Sequence, residues 1–110
     1  MAYIVELFSV PVLCVKLDLD VSSIEKFCLD YQDKNEGRYV SNEGGYQSKN
    51  VEYEKYTQLS LLSKIIKINV KQYKKSLGLK ENFVLDNMWI NVNKYKDFNV
   101  SHIHPNCSIS

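Results

Sequence analysis

The sequence predicts an α+β domain, on three observations. Apolar residues recur at helical spacing in two separate stretches: Ile24, Phe27, Cys28 and Tyr31, then Leu62, Ile65, Ile66, Asn69, Tyr73 and Leu77. Runs rich in Ile, Val, Leu and aromatic residues lie before the first stretch, at residues 3–19, and after the second, at residues 83–104. A polar loop that contains the pair Gly44-Gly45 separates the two helical patterns. A chain of 110 residues makes one domain, 1–110, and no internal repeat divides it.

Each element follows in turn. Residues 3–19 read as two strands, or one strand broken at Pro11, because proline lacks the ladder donor and belongs at an edge or a bulge. Ser22 with Glu25 fits a capping box and starts the first helix, which fades before Gly37. Residues 35–50 are loop-like, and Gly44-Gly45 marks tight backbone geometry. The second helix covers about residues 57–77, with Gly78 as its stop. Lys64, Lys67, Lys71, Lys74 and Lys75 form its solvated face. Residues 83–92 read as a strand buried on both faces around Met88, Trp89 and Ile90. Residues 93–97 supply a turn. Residues 98–104 return as the partner strand of a hairpin, with Phe98, Val100, His102 and His104 on one face.

Composition narrows the function classes. Hydrophobic residues make up 45% and charged residues 25%, as in ordinary soluble globular proteins. The formal net charge is +1, and lysines and acids are interspersed without a basic block, so nucleic acid is not favoured as a partner. Arg38 is the single arginine. The longest apolar run is too short to span a membrane, and the first residues lack the positive region of a signal peptide. Cys14, Cys28 and Cys107 are widely spaced and odd in number, which points to reduced thiols in a cytoplasmic protein.

The chemistry-bearing feature is Ser101-His102-Ile103-His104-Pro105-Asn106. Two imidazoles two residues apart on an extended segment face the same side and can ligate one metal ion. Beside Phe98 and Val100 they suggest a cavity lined by a curved sheet, and Pro105-Asn106 bends the chain so that a further strand can cross back. Catalytic zinc or non-haem iron takes three protein ligands, and the sequence holds no histidine besides these two. The expectation is therefore the front part of a longer metalloenzyme domain, cut after Ser110.

Four stretches carry a resemblance. They are Leu7-Phe8-Ser9-Val10-Pro11-Val12, Ser41-Asn42-Glu43-Gly44-Gly45-Tyr46-Gln47-Ser48, Met88-Trp89-Ile90-Asn91 and His102-Ile103-His104-Pro105-Asn106-Cys107-Ser108-Ile109-Ser110. In this order they resemble the 2-oxoglutarate/Fe(II)-dependent oxygenases found in marine bacteria and their phages. The resemblance spans nearly the whole chain but only the N-terminal half or so of the family's domain. It implies an incomplete double-stranded β-helix, a cupin-like jelly roll, with two N-terminal helices packed on the sheet.

The same resemblance implies iron(II) held by His102, a second ligand two residues on, and a distal histidine. The wider superfamily has a carboxylate at the second position, whereas this sequence has His104. The distal histidine and the basic residue that pairs with 2-oxoglutarate have no match here, since Arg38 lies before the sheet begins. Trp89 and Asn91 are the candidates for lining the cosubstrate pocket, with plain core packing as the alternative for Trp89. Ser41, Asn42, Gly44, Gly45 and Tyr46 are either a loop over the mouth or a structural turn. Cys107 is either redox-sensitive or a buried, inert thiol.

The implied reaction is hydroxylation of a substrate C–H bond, coupled to oxidative decarboxylation of 2-oxoglutarate. Fold alone does not choose among small-molecule and peptide substrates. Two rival readings stand beside it. One is a cupin-like module whose metal serves no redox chemistry. The other is an interaction protein whose uncovered sheet edge pairs with a second copy of the chain.

Overall fold

The computed structural model describes residues 1–107. Ser108, Ile109 and Ser110, the end of the fourth resembling stretch, lie outside the described residues. Helix α1 spans Val21–Lys34. Its cap is Asp20, whose carboxylate accepts from the Ser23 N–H at 3.2 Å. The expected cap at Ser22 is displaced by two residues because the aspartate already satisfies a free donor of the first turn. The helix ends at Asn35, whose side-chain amide donates to the Tyr31 carbonyl at 2.9 Å.

Helix α2 spans Thr57–Ser76, within one residue of the expected range, and follows a short 3-10 turn at Tyr53–Lys55. Its end is built around Gly78, which takes the left-handed φ of +67°. The Gly78 N–H donates to the Lys75 carbonyl and the Leu79 N–H to the Lys74 carbonyl, each at 3.1 Å, so two otherwise free carbonyls are paired. Leu59 and Ser63 are buried on the inner face, whereas Leu77 at the helix end is exposed.

The strands are short and pair across long sequence distances. β1 (Asn42–Glu43) pairs antiparallel with β4 (Phe98–Asn99), and β2 (Tyr46–Gln47) pairs antiparallel with β3 (Asn91–Val92). The two sheets are successive parts of one ribbon. The Val100 N–H donates to the Ser41 carbonyl at one end. The Ser48 N–H donates to Ile90 O and the Val51 N–H to Met88 O at the other. Between the sheets, Gly44-Gly45 lies opposite residues 93–97. A Cβ on Gly44 would strike the Asp97 carboxylate. One on Gly45 would strike the Asn93 side chain and stand 2.9 Å from the Val92 carbonyl. Gly44 also takes φ +82°, so the pair is a structural requirement of this closure.

The architecture is thus α+β, two helices with two small antiparallel sheets. It departs from expectation in its strands. Residues 83–92 and 98–104 do not pair with each other as a hairpin; each pairs with the 41–51 segment, and only two residues of each are regular strand. Residues 93–97 are held as a closed turn instead. The Asp97 N–H donates to Lys94 O at 3.0 Å, and the Asp97 carboxylate accepts from the Lys94 N–H at 2.7 Å. Residues 3–19 form no strand, because no neighbouring strand offers them a ladder. The apolar side chains of residues 3–17 are exposed, Phe8 at 95% and Val10 at 85%. The Tyr73 hydroxyl, donating to the Pro11 carbonyl at 2.6 Å, ties this arm to α2. The radius of gyration, 17.2 Å, exceeds the ~13 Å of a compact chain of about this length, as a projecting arm requires.

The core is small. Val51, Leu59 and Ile90 are buried, with Phe27, Cys28, Tyr31, Tyr53, Tyr56, Met88 and Val92 packed around them. Phe27, Tyr31 and Tyr56 form an aromatic cluster with ring centroids 4.9–6.0 Å apart. Ser48 is fully buried. Its hydroxyl accepts from the Ile90 N–H at 2.8 Å and donates to Lys49 O at 2.7 Å. No helix among the described residues is long and apolar enough to cross a membrane.

Two outcomes follow for stability. Ser48→Ala leaves a buried Ile90 N–H unpaired and costs about 1–3 kcal/mol, and Gly45→Ala costs at least as much, both read as a lower midpoint in urea. Burial raises the ionisation of Cys28 above its usual 9.0, and burial, with a neighbouring tyrosine second, raises those of Tyr31 and Tyr46 above 10.0. Their neutral forms therefore stabilise the fold below about pH 9, and that contribution is lost as pH rises through the raised values. Unfolding midpoints measured from pH 8 upward fall, and Tyr31→Phe flattens the fall.

Candidate metal centre

The two histidines follow the last rung of the ribbon. His102 and His104 are brought together, with ring centroids 4.9 Å apart and their Nε2 atoms 2.9 Å apart. His102 Nδ1 stands 2.7 Å from the Val100 carbonyl. A carbonyl can only accept, so Nδ1 carries the proton and the His102 Nε2 lone pair faces His104. A backbone carbonyl behind one ring nitrogen is the arrangement that orients histidines toward metals. The same geometry makes His104 Nε2–H the donor to His102 Nε2.

The separation of the nitrogens bears on which metals fit. Nitrogens bound at about 2.0–2.1 Å to one ion stand ~2.9 Å apart at the right angle of an octahedral site and ~3.3 Å apart in a tetrahedral one. The observed 2.9 Å is a hydrogen-bond distance, so holding an ion would require His104 Nε2 to give up its proton and both lone pairs to turn onto one point. Among the described residues no group of three or more His, Cys, Asp or Glu side chains comes together, so the pair could offer two ligands and no third lies beside it.

Trp89 reaches this pair. Its ring lies edge-on to His104, with centroids 5.7 Å apart at 63°, and it is half-buried. It therefore supports the histidine as well as lying beside the core residue Ile90. Asn91 is exposed in β3, opposite Gln47, and its side chain makes no hydrogen bond to either imidazole among the described residues.

Several surroundings differ from expectation. Residues 100–104 are not a regular strand, and Phe98 and Val100 are exposed at 56% and 42%, so they do not wall a cavity beside the histidines. Pro105-Asn106 does turn the chain, with Asn106 at φ +62°. Cys107 is exposed, not buried. The Ser41–Ser48 stretch is engaged in structure. Asn42 accepts from the Val40 N–H at 2.9 Å and donates to Gly45 O at 3.1 Å, and Ser41 Oγ accepts from Asn99 Nδ2 at 2.9 Å.

Sequence reasoning missed the Val100 carbonyl, because a backbone acceptor leaves no residue signature. It also missed a polar cavity of ≈ 480 Å³ on the ribbon, lined by Arg38, Tyr46, Gln47, Lys94 and others, whose lining includes neither histidine.

No protein-family model, no curated protein and no solved structure matches this chain.

The tautomer is directly measurable. Ring nitrogen shifts of the ¹⁵N-labelled chain are expected to place the proton of the neutral His102 ring on Nδ1. Replacing Ile103 with Pro, which redirects the segment, returns His102 to the Nε2–H form that predominates in free histidine.

Proposed function

We propose that His102 and His104 are two metal ligands of an iron(II) centre, and that the chain belongs to a 2-oxoglutarate-dependent oxygenase. The observation that carries this reading is the pair of Nε2 atoms 2.9 Å apart, with His102 held from behind by the Val100 carbonyl. The sequence resemblance supports it independently. In this reading the ribbon is one part of a larger double-stranded β-helix, and the strands completing the roll carry the third ligand and the basic partner of 2-oxoglutarate.

Imidazole nitrogens suit iron(II), and His102 and His104 would hold the ion through their Nε2 atoms. Bound iron(II) with 2-oxoglutarate and dioxygen supplies the hydroxylation of a C–H bond. The residues here do the positioning. Val100 fixes the His102 tautomer, and Trp89 limits how far the His104 ring can swing and shields one side of it from water. The substrate is a small molecule or a peptide segment.

A second reading is favoured by the donor set. Two imidazoles and no carboxylate also suit zinc or nickel without redox chemistry, as in a cupin-like metal-binding module.

The test is an anaerobic iron(II) titration of the full reading frame with and without 2-oxoglutarate. A weak visible charge-transfer band requiring both components, and abolished by His102→Ala, is the expected result. Trp89→Phe keeps the band. Tight zinc or nickel binding with no band and no effect of 2-oxoglutarate establishes the metal-module reading instead.

A further inference from the structure

The cavity on the ribbon is lined in part by Arg38, Tyr46 and Gln47, and each of these residues, the first two half-buried, holds one buried polar atom without a partner: Arg38 Nε, Tyr46 Oη and Gln47 Oε1. Gln47 is 4% exposed. Buried polar atoms are ordinarily paired, and unpaired ones on three residues that line one cavity point to a missing ligand. The volume, ≈ 480 Å³, suits a small molecule.

The backbone holds these groups in place for structural reasons that leave their side chains free. The Arg38 N–H donates to the Gln47 carbonyl at 2.7 Å, which brings residue 38 beside β2. Gly37 admits the Tyr46 ring, since a Cβ there would meet the ring at 2.8 Å. The Gly44-Gly45 pair, kept bare by the 93–97 turn, forms another part of the wall.

The unpartnered atoms specify a ligand class. Arg38 forms no ion pair with an acid among the described residues, and its planar fork matches a carboxylate. The Tyr46 hydroxyl can donate to the same group, and its raised ionisation keeps it protonated at neutral pH. Gln47 Oε1 only accepts, so the ligand must also bring a donor. The charged residues of the lining balance, Arg38 and Lys94 against Glu36 and Asp97, which fits a zwitterion better than a polyanion. We propose that this cavity binds an α-amino acid, its carboxylate on Arg38 and Tyr46 and its ammonium group on Gln47. The site stands on residues separate from the histidine pair and does not depend on the oxygenase reading.

The test is an NMR shift titration of the full chain with three matched probes: L-norvaline, pentanoate, which lacks the amine, and butylamine, which lacks the carboxylate. Norvaline is expected to move the Gly44, Gly45, Tyr46 and Gln47 amides saturably, with the other two binding about tenfold or more weaker. Arg38→Gln weakens norvaline by a similar factor while leaving amides remote from the cavity unshifted. Tyr46→Phe weakens it less. The proposal is overturned if pentanoate binds as well as norvaline, if glutarate, with acceptors at both ends, binds as tightly, or if none of the probes shifts these amides. Because the probe series uses the unaltered chain, it decides the matter even where Arg38→Gln fails to fold.

Discussion

The structure depends on one long-range antiparallel pairing, that of residues 41–51 with residues 88–100. Its rungs are few, and it is interrupted where Gly44-Gly45 lies under the 93–97 turn. A side chain on either glycine would push that turn away and separate the two halves of the ribbon. Such a pairing closes a loop of some forty residues containing α2, and the cost of closing a loop rises only slowly with its length. What makes the pairing hold is the fit at the glycines and the buried hydrogen bonds on each side of them.

Those hydrogen bonds are mostly polar side chains meeting backbone. Ser41, Asn42, Ser48 and Asn99 each bond across or within the ribbon, and three of the four are buried. Among the described residues only three apolar side chains, Val51, Leu59 and Ile90, are buried, which is few for a chain of this length. Polar pairing specifies register closely, because a slipped strand would separate Ser48 from the Ile90 N–H and Ser41 from the Asn99 side chain. The apolar arm at residues 3–17 adds no such fit and remains exposed.

Val100 couples the ribbon to the histidines. Its N–H is bound to the Ser41 carbonyl and its carbonyl orients His102. The two imidazoles are thus positioned by the last rung of the same pairing that the glycines permit. The cavity at Arg38, Tyr46 and Gln47 lies on that ribbon too, so both candidate sites rest on one structural device.

Local patterns were enough to determine the helices. Apolar spacing placed α2 to within a residue, and Gly78 marked its end because only a left-handed residue there can pair the last carbonyls. The two imidazoles meet although residues 100–104 form no regular strand, through the Val100 carbonyl behind His102 and the hydrogen bond between the rings, neither of which the spacing shows. Strand pairing was not legible, because alternating apolar residues show that a segment can be a strand and not which segment it meets. Residues 83–92 and 98–104 read as each other's partners by proximity, and the tertiary structure gave both to residues 41–51. The cavity was hidden for the same reason. Arg38, Tyr46 and Lys94 are ordinary polar residues in sequence, and they converge only after a pairing between distant segments has formed.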